Sequence, residues 1–131
     1  MRIISLNTWG GRAGKEKLLT FFKTHADTTD IFCLQEIWSA PHPYLEGCLA
    51  GGTVLNNKQT MVYALREISE VLPNHTAFFR PLIVDNYGLL MLIRKEYRVL
   101  EEGEVFVYKQ KGYLSEDDAG NHARPNQYAT N

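Results

Sequence analysis

What this chain lacks narrows the possibilities first. None of its 131 residues belongs to an uninterrupted apolar run approaching the ~18 that a membrane-crossing helix needs. The opening Ile3-Ile4-Ser5-Leu6 is too short for the core of a secretory signal. A soluble, cytoplasmic chain with no membrane span is therefore expected. Cysteine is scarce: Cys33 and Cys48 match no metal-binding spacing, and without a secretory signal they are expected to be free thiols. No sign of charge dominates, since 14 Lys plus Arg against 15 Asp plus Glu leave a formal net charge of −1, and no basic run forms an arm. The broad electrostatic footprint of a nucleic-acid-coating protein is missing. A small-footprint nuclease stays open, because a bound divalent cation brings positive charge of its own. Internal repeats and low-complexity tracts are absent as well.

What is present is 44% hydrophobic content, enough for one modest core. Two stretches echo each other near the start. Arg2 to Leu6 is apolar and ends in Asn7-Thr8-Trp9-Gly10-Gly11; Asp30 to Gln35 is apolar and ends in Glu36-Ile37-Trp38. Between them, Leu18, Leu19, Phe22 and Ala26 recur at spacings of three and four, which predicts an amphipathic helix over 15–26. Strand, crossover helix and strand imply two adjacent parallel strands with Asn7 and Glu36 facing one crevice at their carboxyl ends.

Further along, Pro41, Pro43, Gly47, Gly51 and Gly52 predict a loop over 39–57 that walls this crevice, with a short turn at 44–48. Met61, Leu65, Ile68 and Leu72 predict a second helix over 58–72, capped by Asn56 or Asn57 and stopped by Pro73. A strand over 75–84, a turn at Asp85-Asn86 and a strand from Tyr87 to Arg94 predict an antiparallel hairpin. One further bent strand or a second short pair is expected over 97–100 and 105–108. Apolar density then falls, and 110–131 is expected to be a flexible loop or tail.

The Leu-Asn-Thr-Trp-Gly opening (6–10) and the Leu-Gln-Glu-Ile segment (34–37) resemble the first two motifs of the endonuclease/exonuclease/phosphatase family, the DNase I-like metal-dependent phosphoesterases. That resemblance implies an α/β sandwich, a Mg²⁺ or Mn²⁺ cofactor, and a phosphate-ester substrate: a nucleic acid, a phospholipid head group or a small molecule. By resemblance Glu36 is a metal ligand, and Asn7 helps hold the scissile phosphate and metal-bound groups. The family's later Asp-x-Asn and Asp-His motifs occur nowhere in these residues. Such domains run to roughly 200–250 residues, so the chain is expected to be the amino-terminal half of one, a mixed sheet with two helices packed on it. It is expected to be inactive alone and prone to self-association through exposed sheet.

Each candidate also has a plainer reading. Glu36 could be a structural carboxylate paired with an Arg or a helix end, which would make the chain a non-catalytic binding module. Asn7 could only cap the turn that follows it. Trp9 and Trp38 could frame the crevice as substrate-binding aromatics or pack under a loop. Tyr87 could reach a phosphate or simply open its strand. Among the scattered histidines, His122, with Arg124 beside it, and His42 are the first suspects for a base.

Overall fold

The chain is described by a computed structural model for residues 1–42, 46–50, 53–82, 84–115 and 122–130. The expected strand–helix–strand unit is present: β1 (Ile3–Asn7), α1 (Lys15–His25) and β2 (Ile31–Trp38), with β1 and β2 parallel and Asn7 level with Gln35. A parallel pair cannot be closed by a hairpin, and α1 supplies the long return. Strands β5 (His75–Pro81) and β6 (Tyr87–Arg94) form the expected hairpin, and β6 runs antiparallel to β2. The result is a mixed four-stranded sheet in the order β1-β2-β6-β5.

One face of this sheet carries both described helices, α1 and α2 (Ala64–Val71). Phe22, Ile68 and Leu72 from the helix side meet Phe32, Leu34, Leu90 and Leu92 from the sheet, all at most 1% exposed. Each such side chain contributes about 1.5–3 kcal/mol by leaving water. Lys15 and Glu67 join the two helices by an ion pair at 2.5 Å.

The second helix is shorter than the expected 58–72. The Asn56 side chain accepts the Lys58 N–H at 2.8 Å in a local turn, and the Met61 N–H goes to the Gly10 carbonyl at 2.8 Å. Those donors are spent outside any helix, so the first turn waits until Ala64. Within the expected loop at 39–57, β3 (Leu49–Ala50) pairs with β4 (Thr53–Val54); of the turn expected at 44–48, residues 46 and 47 form a turn, and 44 and 45 lie outside the described residues.

The carboxyl-terminal part departs furthest from expectation. β7 (Glu101–Tyr108) runs straight through Glu101-Glu102-Gly103-Glu104, and Arg124–Thr130, expected within a loop or tail, forms β8. The two pair along their length. Arg80 of β5 holds this ribbon to the main sheet through Glu102 and through Glu104 at 3.0 Å, and Gln127 donates to the Phe78 carbonyl at 2.7 Å. The strand is invisible in composition because its stability comes from a partner strand and a docked Arg, not from its own apolar content. Exposed apolar side chains remain at Ile3 on the sheet edge and at Leu100, Val105 and Val107, each 56–64% exposed. No described helix is long and apolar enough to cross a membrane.

Candidate functional site

Two regular strands would not bring Asn7 and Glu36 together. Asn7 is level with Gln35, and successive side chains on a strand alternate between faces. Glu36 would then point to the helix side. The structure resolves this with a bulge: between Leu34 and Ile37 β2 holds one residue more than β6 opposite, and Glu36 takes a left-handed backbone with φ of +60°. A bulge re-aims side chains in this way. The Asn7 Nδ2 consequently donates to Glu36 Oε1 at 3.2 Å across the carboxyl ends of the two strands.

Thr8 holds the bulge in place and was not singled out from the sequence. Its N–H donates to the Gln35 carbonyl at 3.1 Å, and its hydroxyl donates to the carbonyls of Gln35 and Glu36 at 2.9 and 3.1 Å. Thr8 is 5% exposed, so those bonds are sheltered from water. The only sequence signal was a hydroxyl residue directly after a strand-end Asn.

Both readings of Asn7 are satisfied at once. Its Oδ1 accepts the Trp9 N–H at 2.9 Å, the local turn its type favours, while Nδ2 serves Glu36. Trp9 is itself left-handed at φ +52°, followed by Gly10 and Gly11 at +60° and +79°. This tight turn leaves the Trp9 ring 55% exposed with the Arg12 guanidinium 5.8 Å from its centre. Arg12 also donates to the Val54 carbonyl at 3.3 Å, which ties the 39–57 loop to the site side.

The two tryptophans are not equivalent. Trp38 is 7% exposed and packs its ring 4.7 Å from that of Tyr87, so it is a wall of the site, not a second open aromatic. Tyr87 is half-buried, and His122 meets its ring edge-on at 5.8 Å. Burial pushes the Tyr87 hydroxyl well above the ordinary phenol range; the Glu36 carboxylate adds to that, and Arg12 and Arg124 oppose it. Tyr87 therefore stays a neutral donor at physiological pH.

The site thus joins Asn7, Glu36, Trp38, Tyr87 and His122, with Trp9 on the open rim. His122 arrives by the β7–β8 ribbon. His42 is half-buried in the loop after β2. Among the described residues no three His, Cys, Asp or Glu side chains group together as a metal cage. Among the described residues, Glu36 is the hard carboxylate beside Asn7. Neither Cys33 nor Cys48 is in a disulfide, and burial raises the pKa of the Cys33 thiol.

A scan against protein-family models, a search of curated proteins and a search of solved structures each returned no match.

Proposed function

We propose that this chain is the metal-side part of a Mg²⁺- or Mn²⁺-dependent phosphoesterase with a DNase I-like sandwich. The observation that supports it is the 3.2 Å approach of Asn7 to a Glu36 re-aimed by a bulge at the carboxyl ends of parallel strands. Open α/β sheets place ligands there, and non-glycine residues in left-handed conformations cluster at functional sites because their strain, about 1–3 kcal/mol, must be offset by the surroundings.

The residues fit a cation that finds most of its ligands elsewhere. Mg²⁺ is commonly bound through one or two carboxylates, with water and substrate phosphate filling the remaining positions. Glu36 supplies the carboxylate. When bound, the cation polarises a phosphoryl oxygen and steadies the leaving group. The Asn7 amide has two N–H donors, of which Glu36 takes one, so the second is free to serve a phosphoryl oxygen. Protonated Tyr87 offers another neutral donor, and exposed Trp9 an apolar rim. His122 is a histidine beside this group, but water activation also needs a partner to orient it. With the Asp-x-Asn and Asp-His motifs absent from these residues, turnover by this chain is negligible.

The second reading, a binding module with Glu36 structural, is favoured by the same contact, since an amide–carboxylate pair also closes a strand end. Titration with Mn²⁺, followed by water relaxation, separates the two. Binding is expected to be weak, about millimolar, and lost in Glu36→Gln. Equal binding by both proteins would sink the metal assignment. Assays on bis-p-nitrophenyl phosphate and plasmid DNA, beside size-exclusion chromatography, check the activity. Glu36-dependent turnover from a monomer would mean that the base lies within these residues, and His122→Ala would then identify it.

A further inference from the structure

A second cluster of chemistry lies on the ribbon beside this site. β7 and β8 shift register between Phe106 and Tyr108, which sets Tyr108 opposite Arg124. The chain then turns at Lys109, left-handed at φ +59°, and at Gly112, whose N–H donates to the Leu82 carbonyl at 2.8 Å. The Tyr108 and Tyr113 rings stand edge to face at 6.3 Å. The Lys109 ammonium lies 5.6 and 5.2 Å from their centres, and the Arg124 guanidinium 5.4 Å from that of Tyr108. Tyr108, Lys109 and Lys111 are exposed, and neither lysine forms an ion pair with a described carboxylate. Two cations thus lie against these two rings, and Lys111 is exposed two residues beyond Lys109.

The cluster is continuous with the Glu36 site. Arg124 donates to the His122 carbonyl at 3.4 Å, His122 meets Tyr87, and Tyr87 packs on Trp38. A chain of contacts therefore links Trp38 to the ribbon through Tyr87, His122 and Arg124. Cations beside aromatic faces suit phosphates and unstacked bases together, the pattern of surfaces that track single strands. An anionic membrane fits less well, because interfacial binding needs apolar side chains to bury in the acyl boundary. Residues 108–113, Tyr-Lys-Gln-Lys-Gly-Tyr, contain no aliphatic side chain, although the exposed Val105 and Val107 precede them on β7, so lipid vesicles form one arm of the test.

We infer that the Tyr108–Lys109–Tyr113 cluster is a track for single-stranded nucleic acid that leads to Glu36. It rests on the phosphoesterase reading only for what happens at its inner end. Fluorescence anisotropy of a short labelled oligothymidylate at low salt, in EDTA, tests it apart from catalysis. The full chain should bind this strand at least about fivefold more tightly than an abasic strand of equal length, the lower end of what one stacked base supplies. Tyr108→Ala should weaken binding by a similar factor. Lys109→Gly should reduce the salt dependence by about one phosphate contact, a slope change of ~0.7; its φ suits glycine, so the variant keeps its fold, which circular dichroism checks. Binding should persist in Glu36→Gln, so the track stands even if no phosphoester is cleaved. Equal affinity for the abasic strand, unchanged binding in both ribbon variants, loss of binding in Glu36→Gln, or preference for equimolar phosphatidylserine–phosphatidylcholine vesicles would overturn it.

Discussion

Glu36 stands one bulge out of register so that its carboxylate meets the Asn7 amide at 3.2 Å, and the hydroxyl of Thr8 fastens the bulge from behind. A glutamate held at φ +60° costs about 1–2 kcal/mol relative to a relaxed residue. The fold keeps that cost at the residue that carries the proposed chemistry.

Replacing Glu36 by Gly should therefore separate stability from function. The substitution relieves the left-handed strain while adding freedom to the unfolded chain. Urea unfolding is expected to show a stability unchanged or raised by up to about 1 kcal/mol, with Mn²⁺ binding lost. A loss of stability above about 1 kcal/mol would mean that the Asn7–Glu36 contact is a structural tie.

The tryptophans should behave as one open and one shielded fluorophore, as their 55% and 7% exposures require. Acrylamide should quench the Trp38→Phe protein, which retains Trp9, far more efficiently than the Trp9→Phe protein. Similar quenching constants for the two variants would contradict the packing of Trp38 on Tyr87.

Two glycines should differ sharply. A Cβ on Gly88 would sit 2.0 Å from the Arg80 carbonyl oxygen of the neighbouring strand, a backbone atom that cannot step aside. Gly88→Ala is expected to cost about 3 kcal/mol or more. At Gly47, φ is +82° but nothing lies within 4 Å, so Gly47→Ala should cost only the left-handed penalty, about 1 kcal/mol. Denaturant midpoints of the two variants give the comparison directly.

Acid should weaken the fold through Asp30. Its carboxylate accepts the Arg2 N–H at 2.6 Å, which holds it below the usual carboxylate range; Tyr97 and Arg94 act in the same direction, and desolvation opposes them. A carboxyl with a depressed folded value contributes stability that is present above its unfolded value of ~3.9 and lost as pH falls through the folded one. Asp30→Asn should therefore lower the unfolding midpoint near neutrality, and the gap from the parent should close as the pH falls through the folded value. A gap that does not change with pH would assign the effect to packing.

The sequence alone determined the β1–α1–β2 unit, the β5–β6 hairpin and the approach of Asn7 and Glu36 to one end of the sheet. Those features follow from local periodicity and strand-end polarity, which short windows of residues carry. It could not show the bulge that turns Glu36 toward Asn7, because an extra residue in a strand is defined only by the strand opposite. Nor could it show that Trp38 is walled in by Tyr87, that Met61 spends its N–H on Gly10 and delays α2, or that 124–130 is a strand. In each case the deciding partner is distant in the chain: Tyr87 for Trp38, Gly10 for Met61, and β7 with Arg80 for β8. His122 and the Tyr108 cluster reach the site by that last pairing. Tertiary structure decided them because a ribbon's register and docking come from hydrogen bonds and ion pairs between remote residues, which no local pattern records.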